Sequence, residues 1–451
     1  MTRIACFAVG CLVIVVLGAW RVVAVMRQLE NPPSPETRVF RGTIADDPVH
    51  SMPQDSIIVR LDGSKSLVLA RGRAPNELRY GDRIRLEGKT TVPEGGWGKS
   101  LKAKGIAVVV DRATVTLEQP GPRGALRLLY EMKRGMRHVI ERLYPEPSAG
   151  LLAGLLTGDR DGIAKSESDA FRRSGLTHIL AISGYNITLV LAVIGSLLFF
   201  LPFRWRFGPS VVAVIAFAIL AGASASVVRA AIMGVLQLAA AHAGREKSMR
   251  LLILWTLWLM AMWNPLSLWY DAGLQLSFLA VVGLCELTPV FEKALRRLPS
   301  FPGLREALSV TLAAQCFAVP WTAFLFGDVS LVSLPANLLV APAIPVAMAA
   351  GGLSLVAGSV SDPAGQLIAI LGWMALEWIC LVARTLSSLP FAALENVEIP
   401  TWAIVAYYAS LFVAIRLMPR FTTRIPEFSC GPPTGRLPAS AASTENGTCS
   451  R

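Results

Sequence analysis

The sequence predicts a polytopic α-helical membrane protein with a small N-terminal extracytoplasmic β-barrel. Three observations predict it. Of 451 residues, 53% are hydrophobic and 16% charged, against roughly 25% charged in an average soluble domain. Long apolar runs recur between residues 174 and 418. The stretch 31–120 instead shows short alternating runs separated by turn residues, the pattern of strands. A net charge of +12 would suggest a nucleic-acid or acidic partner in a soluble protein; here much of it is assigned to the Lys/Arg excess of cytoplasmic loops.

Residues 1–30 hold the first apolar run, RIACFAVGCLVIVVLGAWRVVAV, preceded by Arg3 and interrupted by Arg21. With no clear small-residue cleavage site after it, the run is read as a retained signal anchor, a cleaved signal being the alternative. The proline-rich NPPSPE then leads into 31–120, where TRVFRGTI, SIIVRL, SLVLAR, DRIRLEG, GIAVVV and ATVTLE read as strands and LDGSKS as a hairpin loop. Five or six short strands in this length suggest a small closed barrel of the OB type. Residues 121–173 form amphipathic and connecting helices. In the first of them Leu126, Leu129, Tyr130, Met136, Val139, Ile140 and Leu143 make an apolar stripe among arginines. Such a helix lies along a membrane interface or packs on the barrel. Asp159 and Asp161, in a Gly-rich turn, read as helix caps.

The membrane domain, 174–418, contains nine apolar segments: 175–200, 209–223, 226–243, 249–263, 271–290, 307–326, 331–357, 364–389 and 400–417. Several are shorter than the roughly 20 residues of a complete span. Arg204 and Arg206, Arg245 to Arg250, Lys293 to Arg305, and Arg416 to Arg424 all fall on one side if each segment crosses once. The opposite loops, NPLSLWYD, GDVS and ENVEIP, carry no Lys or Arg. The positive-inside rule then places both termini in the cytoplasm and the barrel outside. The tail, 419–451, is rich in Pro, Ser, Thr and Gly and reads as disordered.

Polar residues inside these segments are the functional signal. SGLTHILAISGYNITLV, Ser174 to Val190, carries Ser174, Thr177, His178, Ser183, Tyr185, Asn186 and Thr188. Each polar group left unpaired in hydrocarbon costs about several kcal/mol. As a helix, this stretch would be polar around much of its circumference, with His178 and Tyr185 on one face and Asn186 nearby. It therefore either bonds to neighbouring helices or lines a wet path. Gly184, after Ser183, also permits a break. Arg229 in the third segment and Asp271, Gln275 and Ser277 in the fifth lie near the outer ends of their segments. Arg229 and Asp271 form either a structural salt bridge or a site in which Arg229 faces phosphates. Gln315 lies in the sixth segment; Pro335, Asn337, Pro342 and Pro345 make the seventh bent or re-entrant.

Four scattered histidines exclude a multi-histidine metal centre, and seven cysteines without CxxC do not form a disulfide framework. No metal or cofactor is expected. No Walker motif and no nucleophile–base pair is recognisable, so an enzyme is the least expected class.

In order along the chain, GLLTGDRDGI, FRRSGLTHILAISGYNITLV, SVVRAAIM, NPLSLWYDAGLQLSFLAVVGL and SLVSLPANLLVAPAIP resemble the core motifs of the ComEC family, over Gly150 to Gly352. The strands with YGDRIRLEGKTTVPEGG and LKAKGIAVVV resemble its OB-fold domain. The resemblance implies an inner-membrane channel of natural competence that passes single-stranded DNA into the cytoplasm. It also implies a homo-oligomer in lipid, a DNA receptor, a cytoplasmic ATPase motor and a separate nuclease. The motif positions are Gly158, Asp159, Ser174, Gly175, His178, Ser183, Gly184, Asn186, Arg229, Asp271, Gln275 and Asn337. SGYN stands where many members have SGLH, so Asn186 replaces a group that titrates near neutral pH. Many members carry a C-terminal metallo-β-lactamase-like domain; no HxHxD occurs here, so a nuclease is expected elsewhere. Arg38, Arg41, Arg60, Lys65, Arg71, Arg73, Arg79, Arg83 and Arg85 of the barrel either track phosphates or form a solvated face, with Phe40, Tyr80 and Trp97 as its few aromatic platforms. Other functions open to the scaffold are a small-solute or ion transporter and a membrane assembly or binding protein.

Overall fold

The structure, a computed structural model, describes residues 18, 20, 21, 23–25, 39–48, 55–63, 67–75, 78–159, 162–180, 184–244, 248–297 and 303–417. The proline-rich linker, most of the signal anchor, Arg38, Lys65, Asp161, Ser183, the Tyr185 side chain and the tail lie outside the described residues.

Alternating sequence builds the N-terminal sheet. Strands β1 (Val39–Ile44), β2 (Asp55–Leu61), β3 (Leu67–Arg73), β4 (Arg83–Thr91) and β5 (Ile106–Gln119) close in the order β1-β2-β3-β5-β4, with β1 returning to β4. Only the β3–β5 pair is parallel. In β4, Ile84 and Leu86 point inward while Arg83 and Glu87 are exposed, the period of a half-buried strand. Phe40, Ile57, Val59, Val68, Leu78, Val108 and Val110 complete the interior. GIAVVV and ATVTLE are one strand rather than two: β5 passes through Arg112 at φ 52° with register shifts against both neighbours. Between β4 and β5 the Gly-rich GGWGKSLKA forms helix α1 (Gly95–Ala103), which the sequence pattern does not announce. Leu101 fastens it to Leu69, Ile106 and Val109 on the outside of the barrel.

Helix α2 (Ala125–Leu143) packs its polar side on the barrel. Arg127 Nη1 donates to Asp82 Oδ1 at 3.0 Å and to the Gly121 carbonyl at 2.9 Å. Arg134 donates to Asp47 Oδ1 and Leu78 O, and the Tyr130 hydroxyl donates to Asp46. The Tyr130 ring stacks on Tyr80. Of the two placements the sequence leaves open, this is packing against the barrel. The other side of α2, Met136, Val139, Ile140 and Leu143, joins the helical core. The helix is thus a strut between two hydrophobic cores.

That helical core contains a segment the apolar count missed. Every residue of α3 (Ser148–Thr157) is buried, among α4 (Lys165–Arg173), α12 (Ser333–Val340), α13 (Ala343–Val360) and α14 (Asp362–Ser387). Ten residues are too short to resemble a span, yet burial on all sides gives the same composition. Small residues bring α13 and α14 together: a Cβ on Gly365 would lie 2.5 Å from Gly358 Cα.

The remaining helices are α5 (Gly184–Leu197), α6 (Phe203–Leu220), α7 (Ala225–His242), α8 (Met249–Trp263), α9 (Pro265–Tyr270), α10 (Ala272–Ala294), α11 (Leu304–Phe326) and α15 (Thr401–Leu417). Among the described residues, five helices, α7, α10, α11, α13 and α14, are long and apolar enough to cross a membrane. One expectation needs correction, and the expected bend of the seventh segment can be placed. The stretch 175–200 is not one helix: Gly175 turns at φ 74° and Thr177–Ile179 form a 3-10 turn, while the described part of α5 runs from Gly184 to Leu197. A shared helix face for His178 and Tyr185 therefore does not exist. The seventh segment breaks at Ala341–Pro342 into α12 and α13, as a ring without an N–H dictates.

One end of the helices gathers their loops. Strand β6 (Val329–Ser330) pairs with β7 (Ala393–Leu394). Arg172 on α4 bridges Asp328 at 2.8 Å and Glu395 at 3.7 Å. Asn264 caps α9 and donates through Nδ2 to Ala103 O of α1 at 2.6 Å, tying the barrel to this end. Arg21 Nε donates to Met262 O, satisfying a terminal carbonyl of α8.

Candidate functional site

Ser174, Thr177, Asn186 and Thr188 of the opening motif all bond to backbone carbonyls. Ser174 is fully buried and donates from Oγ to Phe171 O at 3.2 Å. Gly175 follows in the left-handed region, and a Cβ there would come 2.5 Å from Ser333 Cβ and 3.0 Å from Ser330 Cβ. Only glycine satisfies both conditions. Ser330 Oγ donates to Arg173 O, Ser333 Oγ to Ser330 O, Gln315 Nε2 to Ser333 Oγ at 3.2 Å, and Asn337 Nδ2 to Ser333 O at 2.8 Å. A run of hydrogen bonds therefore leads from α4 through the β6–α12 turn to α11 and α12.

Asn186 on α5 is 2% exposed and donates through Nδ2 to Leu155 O on α3 at 3.2 Å. His178 is exposed. The two do not share a wall, and Ser183 lies outside the described residues. Gly158 closes α3 at φ 72°. Asp159 does not cap a helix; its Oδ2 accepts from Arg137 Nη1 at 2.6 Å, linking the end of α3 to α2.

Arg229 is different. It sits on α7 at 4% exposure. Its Nη1 reaches Met233 Sδ at 3.3 Å and its guanidinium carbon lies 5.7 Å from the Phe278 ring centre. Nε has no partner among the described residues. No carboxylate comes within 4.0 Å among the described residues: Asp271, the partner the sequence offers, instead caps α10, accepting from Leu274 N at 2.9 Å. The structural salt bridge is not formed. What adjoins the guanidinium is Gly184, where a Cβ would lie 3.2 Å from Nη2. The fold thus brings together Gly184 and Arg229, 45 residues apart in sequence, at the start of α5. Gln275 is occupied structurally: Nε2 donates to Leu268 O and Trp269 O at 3.0 Å each, and Oε1 accepts from Trp321 Nε1 at 3.0 Å.

A second polar cluster was not singled out from the sequence. Arg384 on α14 donates to Glu167 Oε1 on α4 at 2.8 Å and lies 3.5 Å from Glu377 Oε1; Ser148 Oγ donates to Glu377 Oε2 at 3.4 Å. The signal was present: Glu377 and Arg384 are the charged residues inside the apolar run 364–389. Among the described residues, no group of three or more His, Cys, Asp or Glu side chains could hold a metal.

A helical scaffold with five membrane-length apolar helices among the described residues, and a small barrel at its loop-bearing end, defines a membrane protein. The chain belongs to the competence protein family, whose model, described as Competence protein, matches residues 155–421. ComE operon protein 3 of Bacillus subtilis (strain 168) is 27% identical over 222 residues, 47% of this chain and 27% of that protein. The matched region thus spans about a quarter of the relative's length. No solved structure matches. The Arg229 and Gly184 pair and the Ser174–Gly175 turn all fall inside the matched region.

Proposed function

We propose that this chain is an inner-membrane conduit component for single-stranded DNA during natural transformation. The observation that carries the reading is Arg229: an arginine 4% exposed, in a membrane-length helix, without an acidic partner among the described residues. Burying an unpaired charge costs several kcal/mol. A fold that keeps one gains if an anion visits it, and a planar guanidinium suits the oxygens of a passing phosphate. Gly184, carrying no side chain, leaves the approach to Nη2 open; Phe278 and Met233 hold the side chain in place.

Other residues have supporting roles. Ser174, Gly175, Asn186, Gln275, Asp271 and Asn337 hold the helices through bonds to neighbouring backbone. His178, which is exposed, stays with the site only as a motif position. The five-stranded order, with β3 parallel to β5, suits an OB-type barrel, a common platform for single strands. Alternate crossings put the β6, β7 and α9 loops and the barrel outside a bacterial inner membrane, and both termini inside. The partners are membrane lipid, a second copy of the chain, a DNA receptor, a cytoplasmic ATPase motor that supplies the energy, and a separate nuclease.

Transformation frequency in a deletion strain, complemented with Arg229→Ala at matched membrane abundance, tests the reading. Arg229→Ala is expected to lower transformation at least tenfold, and Arg229→Lys to retain part of it. Wild-type uptake by Arg229→Ala sinks the site; wild-type uptake by the deletion strain sinks the function.

A further inference from the structure

The outward arginines of the barrel form two sets. On the β1–β4 face, Arg41 and Arg85 are register partners, so two like charges sit opposite each other. Carboxylates offset both: Arg41 contacts Glu118 at 2.9 Å, Arg85 contacts Glu87 at 2.9 Å, and beside them Arg83 contacts Asp62 at 2.5 Å. This face compensates its own charge.

The β2–β3 face does not. Arg60, Arg71 and Arg73 have no carboxylate within 4.0 Å among the described residues. Two acids lie nearby in register, and both are engaged elsewhere. Asp55, beside Gly72, accepts from Ala74 N at 3.0 Å. Asp111, beside Arg71, accepts from Thr91 Oγ1 at 2.8 Å. Over this face stands Trp97 of α1, 44% exposed, with the Arg71 guanidinium 4.3 Å from its ring centre. The helix that carries Trp97 is also the one that Asn264 binds. The ring therefore sits on the element connecting the barrel to the loop-bearing end of the helices.

We propose that Trp97, Arg71 and Arg73 form the landing platform for single-stranded DNA on the barrel. The inference rests on the conduit reading and adds where the strand first docks. One base stacks on the free face of Trp97, a contact indifferent to base identity. The guanidinium of Arg71 backs the ring from its other side, and Arg73 takes a neighbouring phosphate. The compensated β1–β4 face stays unused.

The test uses the full chain in phosphatidylcholine nanodiscs, with anisotropy of a fluorescein-labelled 20-nucleotide oligo-dT at 50 to 200 mM salt. Trp97→Ala is expected to weaken binding about tenfold, and Trp97→Phe to restore most of it. The double variant Arg71→Ala/Arg73→Ala weakens binding and flattens the salt slope by about 0.7, for the one phosphate that Arg73 holds. Arg41→Ala/Arg85→Ala makes the same net-charge change and stays within about threefold of wild type. Inorganic polyphosphate, which has no bases, competes more weakly with the Arg71/Arg73 variant and equally with Trp97→Ala. If wild type binds oligo-dT and the Trp97 and Arg71/Arg73 variants bind as well, the platform is wrong and the conduit stands. Equal losses in both arginine pairs also overturn it, since general basicity would then suffice. If wild type binds no oligo-dT at 50 mM salt, the conduit reading fails and the platform with it.

Discussion

Replacing Asp82 by alanine should loosen the barrel from its strut. The carboxylate is 2% exposed and accepts three hydrogen bonds: Arg79 N at 2.8 Å, Gly121 N at 2.7 Å and Arg127 Nη1 at 3.0 Å. The Arg127 side chain is 14% exposed, so the variant strands two backbone donors and leaves a largely buried cation with only its longer contact to Glu131, at 3.3 Å, and the Gly121 carbonyl. Breaking one partner of such a pair costs roughly 3–5 kcal/mol. If the opening is local, about 3 kcal/mol corresponds to amide exchange on the order of a hundredfold faster at residues 79–82 and 121–127. Hydrogen exchange of the full chain in detergent, read by mass spectrometry, measures this. Adding Arg127→Met should recover part of the loss, because the buried charge that has lost its nearer carboxylate is then gone. Exchange unchanged within threefold in Asp82→Ala would refute the strut.

Other outcomes follow from single contacts. Gly175→Ala places a Cβ at φ 74° and 2.5 Å from Ser333 Cβ; a loss of at least about 1–3 kcal/mol is expected, seen as a lower melting temperature in detergent. Gly184→Leu should cut transformation while leaving membrane abundance intact, since its side chain fills the space beside Arg229 Nη2; unchanged transformation would contradict an open approach. Burial, with the Asp46 carboxylate next, holds the Tyr130 proton on above the usual tyrosine range. The unfolded chain loses that proton near pH 10 while the folded chain keeps it. Stability should therefore fall as pH rises beyond about 10, with a shallower slope in Tyr130→Phe. Arg384→Met strands Glu167 and should destabilise the chain; Arg384→Met/Glu167→Gln should be milder, by melting temperature.

The helices were legible because apolar runs dominate their composition. The turn at Gly175 was not legible: a helical period drawn through 174–190 fits the residues equally well, and tertiary contacts of Gly175 with Ser333 and Ser330 decide against it. Helix α3 escaped because a short buried helix and an apolar connector have the same sequence. Helix α1 escaped because three glycines within 95–98 read as a turn, and the contacts that fasten it, Leu101 on the barrel wall and Asn264 at Ala103 O, are tertiary. At the site, Arg229 was legible as an intramembrane charge. Its lack of a partner was not, because the sequence offers Asp271 at similar depth and only the fold assigns that carboxylate to the first turn of α10. Gln275 and Asn337 were legible as polar, but whether a polar residue lines a path or bonds its neighbours depends on distances that no spacing encodes.

The most direct measurement places a benzophenone amino acid at position 278, the ring that faces Arg229, and illuminates cells while they take up radiolabelled DNA. A second strain carries it at position 254, where Leu254 is exposed on the apolar surface. The conduit account predicts DNA adducts from position 278 and none from 254. Transformation at wild-type frequency with no adduct from 278 would contradict it.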